Sequence, residues 1–267
     1  MKRLFFPAFA LVSAILAAAA CDPDLTPNVV PGGGGTDGGP VVTPEAGPPS
    51  EGGPSPEAGP SEAGTDAGAA HVIDGTNDFT AGERFATSSP AYDGYITWDD
   101  TNVFFGMSGR DVGAGLPSKW LLIYVDGSPG NAGSSQGIAY NCSGSCASQQ
   151  ASLPFNAGYH LRWKADDSYT NLQKWSGAAW VNVGPIGTVN RKGTFMELSI
   201  TRAALGKPEK LKVHMNMLIE QTDAEWTYAG VPAGSFADGK APAAFTKFLE
   251  FDLADRAKAP NSYGPKP

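Results

Sequence analysis

Few side chains in this sequence are placed to do chemistry. The cysteines are Cys21, Cys142 and Cys146, and the histidines are His71, His160 and His214. Cys21 closes the apolar run Leu11-Val12-Ser13-Ala14-Ile15-Leu16-Ala17-Ala18-Ala19-Ala20, which follows a basic Met1-Lys2-Arg3 start. That is the layout of an export signal ending on a cysteine. So short a run does not cross a ~30 Å hydrocarbon core as a retained helix, so residues 1–20 read as a removed signal peptide. Cys142 and Cys146 stand four apart in Asn141-Cys142-Ser143-Gly144-Ser145-Cys146. They are close enough to pair as a disulfide in an oxidising compartment, which leaves Cys21 as the odd thiol. A metal or redox role for the pair would need a second Cys or His cluster nearby, and there is none.

Catalytic patterns are missing. Gly106-Met107-Ser108-Gly109-Arg110 lacks the last glycine of a nucleophile elbow. No HExxH and no Cys/His metal spacing occurs, so a triad or zinc centre would have to draw on three scattered histidines. Carboxylates on different strands can still meet in space, but no spacing marks such a pair. The residues therefore point away from an enzyme.

The start of the chain resembles the bacterial lipoprotein signal, in which small residues precede a lipidated cysteine. Here Ala18-Ala19-Ala20 lead into Cys21, with Leu16 a little further upstream. The resemblance implies a lipid on Cys21. The same alanines also satisfy the small-x-small rule for ordinary secretion. From residue 21 to 70 the chain is Pro, Gly, Ser, Thr, Ala and acid, with the near-repeats Pro44-Glu45-Ala46-Gly47-Pro48, Pro56-Glu57-Ala58-Gly59-Pro60 and Ser61-Glu62-Ala63-Gly64. Such a composition does not bury enough apolar surface to offset ordering entropy, so a disordered tether is expected. As a coil it would reach about 35–45 Å. It holds eight acids and no Lys or Arg, and the signal holds Lys2 and Arg3, so of the chain's net charge of -8 the remainder carries only -2. The acidic balance belongs to the tether, and no basic patch suggests nucleic acid.

Residues 71–267 are long enough for one domain with a substantial core. Their period is mostly two. Asn102–Met107, Lys119–Asp126, Tyr159–Lys164 and Thr194–Ile200 read as strands between Gly, Pro, Asn and Asp turns. In Leu211–Glu220, one face is Leu211, Val213, Met215, Met217 and Ile219, and the other is Lys212, His214, Asn216, Leu218 and Glu220. That alternation predicts an antiparallel strand with one apolar and one largely polar, solvated side. A last strand is expected over Lys247–Leu253. The one helical signal is a short turn capped by the Thr201 hydroxyl and ended by Gly206. Many short strands and little helix predict an all-β, antiparallel β-sandwich.

Several of these segments resemble, in order, the DOMON-like sandwiches, the group that includes family 9 carbohydrate-binding modules and the C-terminal domain of glucodextranase. They are Ile73-Asp74-Gly75, Tyr95–Gly106, Trp120–Asp126, Glu197–Gly206 and Tyr228–Pro232. Where the family commonly has a tryptophan after its opening Asp-Gly, this chain has Asp78-Phe79. The resemblance implies a binding module in which aromatic rings hold the apolar face of a sugar. The residues available as platforms are Trp163, Trp175, Trp180 and Trp226, with Arg162, His214 and Asn216 as polar partners. Trp98 and Trp120 sit in motifs that look structural, and Trp175 and Trp180 flank Ser176-Gly177-Ala178-Ala179, where they equally suit a cross-strand pair. Related sandwiches also bind calcium, for which Asp74, Asp78, Asp99, Asp100 and Asp126 are the candidates, although acids at turns more often bond the local backbone. The haem-binding branch of the group ligates iron with Met and His, and Met107 and His214 are the pair it would use here.

The expectation is an envelope protein, lipid-anchored at the outer membrane or cell surface, whose sandwich binds carbohydrate. A structural or protein-interaction domain on the same scaffold is the alternative. Asp22 next to Cys21 would, under a sorting rule of some bacteria, hold it at the inner membrane instead.

Overall fold

The structure, a computed structural model, describes residues 71–127, 133–139, 150–220, 225–240 and 243–267. Cys21, Cys142 and Cys146 lie outside the described residues, and so do the signal peptide and the linker of residues 21–70.

The period-two runs form strands. In chain order they are β1 (Arg84–Ala86), β2 (Asp93–Trp98), β3 (Asn102–Ser108), β4 (Lys119–Asp126), β5 (Ser134–Gln136), β6 (Ser152–Ala157), β7 (Tyr159–Lys164) and β8 (Thr170–Trp175). They continue as β9 (Trp180–Gly184), β10 (Thr188–Lys192), β11 (Phe195–Thr201), β12 (Lys210–Ile219), β13 (Trp226–Val231), β14 (Gly239–Lys240) and β15 (Leu249–Asp252). A five-stranded antiparallel sheet, in order β1-β2-β3-β11-β10, faces an eight-stranded one in order β14-β13-β12-β4-β7-β8-β9. The eighth strand, β15, pairs with the Lys210–Val213 half of β12, while β13 pairs with the Met215–Ile219 half. The all-β sandwich is thus observed. The last strand is shorter than expected, and the segment after Thr201 is a hydrogen-bonded turn in which the Ala204 N–H bonds the Thr201 hydroxyl at 3.1 Å and Gly206 takes φ +80°. Helical turns not foreseen are α1 (Arg110–Gly113), a single turn directly after β3, and the short 3-10 turns Ala81–Glu83 and Pro260–Ser262. So few residues carry too little periodicity to be legible in sequence.

The core lies between the sheets. Ile96, Phe105, Met107 and Leu198 from the smaller sheet meet Ile123, Leu161, Trp163, Val213, Met215 and Met217 from the larger. β4 reads as an almost unbroken apolar run, Trp120-Leu121-Leu122-Ile123-Tyr124-Val125, because both of its faces are covered. The outer face of the larger sheet carries a second layer. There the β5/β6 ribbon and the chain around Phe236, Phe245 and Phe248 bring Leu153, Phe155, Phe245 and Phe248 onto Tyr124. This corrects the reading of β12 as half-solvated, since His214 and Asn216 are fully buried and Leu218 is buried in a separate cluster with Trp120 and Leu122.

The outer face of the smaller sheet is covered from the N-terminal side. Phe79 packs at 5.3 Å from Tyr95 and the His71 ring at 5.1 Å from Phe104. Glu197, wholly buried, accepts the N–H groups of Asp74 at 2.8 Å and Gly75 at 2.6 Å. Gly75 holds φ +82°, and a Cβ there would stand 2.9 Å from the Lys192 Cβ, so only glycine fits the turn.

Candidate functional site

Three distant segments meet at one edge of the sandwich. β13 contributes Trp226 and Tyr228, which pair with Ile219 and Met217 of β12 and therefore share the inward face of the strand. A bulge follows, where two steps along β12 from Met215 to Met217 span three along β13 from Val231 to Tyr228. The bulged backbone is held by the β1–β2 loop: Ala229 N–H donates to the Ser89 hydroxyl at 2.8 Å and Gly230 N–H to the Ser88 hydroxyl at 2.7 Å. Both hydroxyls donate onward to the Asp238 carboxylate, Ser88 at 2.6 Å. The same loop carries Tyr92 into contact with the junction of β3 and α1. A Cβ on Gly109 would run into the Tyr92 ring, so glycine is required where that ring lies flat on the backbone.

The result is an open groove of about 720 Å³ lined by Tyr92, Arg110, Asp111, Lys119, Trp226 and Tyr228, among others. Tyr92 and Tyr228 meet edge to face at 5.6 Å, and Trp226 keeps 39% of its surface exposed. Asp111 is the polar centre. Its Oδ2 accepts from Lys119 Nζ at 2.9 Å and from the Tyr228 hydroxyl at 2.8 Å. Burial acts to raise the Asp111 pKa, but these donors outweigh it and hold the carboxyl below its ordinary value. Burial, reinforced by Asp111, pushes the Tyr228 phenol up, so it stays a neutral donor. The Tyr92 hydroxyl is buried and completes no hydrogen bond, although Asp111 and Arg110 flank it. A rigid aromatic wall over a pre-bonded carboxylate and spare donors can hold the apolar face of a small polar ligand while pairing with its hydroxyls.

The structure scatters the residues singled out from the sequence. Of the four tryptophans, only Trp226 lines this groove. Trp163 has no exposed surface; it belongs to the inter-sheet core, and its Nε1 donates to Asp167 Oδ1 at 3.0 Å, which corrects its assignment as a ligand platform. Trp175 and Trp180 are direct cross-strand partners on β8 and β9, 5.6 Å apart and tilted by 66°, and Trp180 also donates to the Gln136 carbonyl. Arg162 donates to the Tyr169 hydroxyl at 2.9 Å and lies over the Tyr169 and Trp120 rings. His214, expected on a solvated face, is stacked on Phe245 at 3.8 Å with Nε2 2.9 Å from the Ser235 hydroxyl, and burial pushes its pKa down to about 3. Asn216, also buried, donates to the Met217 carbonyl. Neither His214 nor Asn216 presents a surface to a ligand in solution.

The five candidate calcium acids are separately engaged. Asp74 accepts from Thr76 N–H, Asp78 lies 2.8 Å from His71 Nδ1, and Asp99 accepts from the N–H groups of Thr101 and Asn102. Asp100 pairs with Arg256 at 3.2 Å, and Asp126 faces Lys212 at 4.0 Å. Among the described residues no three His, Cys, Asp or Glu side chains converge as a ligand set. Met107 and His214 do not suit one iron, because Met107 is in the inter-sheet core and His214 is on the far side of the larger sheet, under the second layer.

Sequence reasoning missed Tyr92, Arg110, Asp111, Lys119 and, as a site residue, Tyr228. Only one local signal was available: Trp226 and Tyr228 stand two apart on a strand, which places both rings on one face. The fold and groove together define a β-sandwich with an aromatic, carboxylate-centred cleft at one edge. Compared with known proteins, the chain matches no family model, no curated protein and no solved structure.

Proposed function

We propose that this chain is a lipid-anchored envelope protein whose β-sandwich binds carbohydrate, without transforming it, in the groove at Trp226. The observation that carries the reading is the exposed Trp226 ring beside Tyr92, Tyr228 and the Lys119–Asp111–Tyr228 hydrogen-bonded centre. Such a cleft offers apolar area for a pyranose face and pre-organised polar groups for its hydroxyls. The resemblance of Tyr95–Gly106, Trp120–Asp126 and Tyr228–Pro232 to DOMON-like and family 9 carbohydrate-binding sandwiches supports the same reading. The signal-like segment ending at Cys21 and the acidic Pro/Gly-rich stretch behind it support an anchored domain held away from a membrane.

The test is a titration of the full chain with soluble glucans, xylans and peptidoglycan fragments, with and without calcium, read by tryptophan fluorescence. A saturable change with one class of glycan, abolished by Trp226→Ala and retained in Trp175→Ala, supports the proposal. A flat response from folded protein across the panel rejects it in favour of a protein-interaction domain. The observation behind that second reading is β9, the end strand of the larger sheet, where Val181 and Val183 stand exposed.

A further inference from the structure

We infer that the Trp226 groove selects acidic saccharides, glycans that carry a carboxylate on the sugar ring or its substituent. The inference rests on the carbohydrate reading and specifies its ligand class. It follows from which polar groups of the groove are already used. The Asp111 Oδ2 receives both Lys119 Nζ at 2.9 Å and the Tyr228 hydroxyl at 2.8 Å. Asp238 receives the Ser88 and Ser89 hydroxyls that brace the β13 bulge. Asp111 Oδ2 and both Asp238 oxygens are thus committed to protein donors, while Asp111 Oδ1 faces Arg110 Nε at 3.8 Å.

What remains is donor capacity. Lys119 has three N–H groups and gives one to Asp111; its ammonium lies 5.2 Å over the Tyr228 ring. Arg110 approaches Asp111 only through Nε, at 3.8 Å, too long for a hydrogen bond, and its side chain is 88% exposed. Its guanidinium lies beside the Tyr92 hydroxyl, which favours its charged form, and the rest of the fork is exposed at the groove. The Tyr92 hydroxyl, in a side chain more than nine-tenths buried and lining the groove, completes no hydrogen bond.

A neutral sugar hydroxyl brings a donor together with its acceptors and leaves such a surplus partly unmet. A carboxylate brings acceptors only, and the guanidinium fork can take it in bidentate fashion. With two cations and two carboxylates in the lining, the selection comes from short-range hydrogen bonding rather than from a long-range field. The carboxylate of the ligand would sit at the Arg110 end, beside the Tyr92 hydroxyl, with the sugar face on Trp226.

The experiment compares two ligands that differ only at that group: an oligogalacturonate and the same oligomer with its carboxyls reduced, each titrated calorimetrically against the full chain. The expected result is that the acid form binds about tenfold tighter, which corresponds to 1.4 kcal/mol. Arg110→Gln, a change on the surface of the fold, is expected to bring the acid form down to the affinity of the reduced form. Equal affinities of the two forms in the wild-type chain would overturn the acidic-sugar inference and leave the carbohydrate proposal standing. So would a preference for the acid form that survives Arg110→Gln unchanged. Failure of both oligomers together with every neutral glycan of the wider panel would overturn the inference and the proposal alike.

Discussion

Removing one hydroxyl, by Tyr228→Phe, tests the polar centre of the groove. The phenol donates to Asp111 Oδ2 at 2.8 Å, and Asp111 keeps its second donor, Lys119, in the variant. A hydrogen bond to a charged group is worth about 1.5–3 kcal/mol, and because the Asp111 side chain is partly exposed the low end applies, about 1.5 kcal/mol. For a domain of this size that lowers Tm by roughly 3–5 °C. The loss is also pH-dependent. The Asp111 pKa lies below 3.8 in the folded chain, so its bonds stabilise the fold above the unfolded value and the contribution fades as pH falls through the folded value. The gap between wild type and Tyr228→Phe is therefore full at pH 7 and narrows below about pH 3.8. Urea denaturation of the full chain at pH 7, 5 and 3, with Asp111→Asn and the double variant, measures both the gap and the coupling. The reasoning fails if Tyr228→Phe lies within about 0.3 kcal/mol of wild type at pH 7, or if Tyr228 and Asp111 act additively.

Gly109→Ala drives a methyl group into the Tyr92 ring; the overpacking should cost about 1–3 kcal/mol and weaken glycan binding with it, measured by denaturation and titration of the same variant. Trp163→Ala should remove about 3–5 kcal/mol of stability by opening the inter-sheet core, whereas Trp226→Ala should change Tm little and abolish the fluorescence response; equal Tm losses would contradict the assignment of the two rings. His71 lies 2.8 Å from Asp78 and 3.5 Å from Glu83; burial works against its charged form, but these partners raise its pKa above 6.5, while Glu83, against its own burial, falls to about 2 through His71, Thr97 and the Thr80 N–H. The His71 contribution is present below pH 6.5 and lost as pH rises through its folded value, and that of Glu83 is present above pH 4.5 and lost as pH falls towards 2, so protease protection of the 71–83 segment should peak between those limits and lose its upper edge in His71→Gln. Burial and the nearby Glu220 push Glu225 up to about 7, so its ionisation opposes folding as pH rises from 4.5 through 7; Glu225→Gln should raise Tm at pH 8 and leave it unchanged at pH 4.5.

The sandwich was legible because its strands carry local signals. Lys119–Asp126 and Tyr159–Lys164 appear with the ends their apolar runs suggest. Thr201 caps its turn through its own hydroxyl, and the Trp175/Trp180 pair closes the hairpin around Ser176–Ala179. The site was much less legible. His214 and Asn216 read as solvated because they alternate with apolar residues, a pattern that gives the faces of a strand but not what covers each face. Trp163 looked like a platform because a tryptophan in sequence carries no sign of which sheet surface receives it.

The sequence by itself determined the all-β class, since a period of two is read within a few residues, and it displays the apolar run ending at Cys21 and the acidic Pro/Gly-rich stretch behind it as matters of composition. Only the tertiary structure decided that the outer face of β12 is dry, because the chain at 151–157, around Phe236 and at 243–248 folds over it. It also decided that the groove exists, because Tyr92, Arg110, Asp111, Lys119 and Trp226 come from three separate parts of the chain. Their meeting depends on a β-bulge held by Ser88 and Ser89 across more than a hundred residues of sequence, a contact between chain-distant segments that no local pattern records.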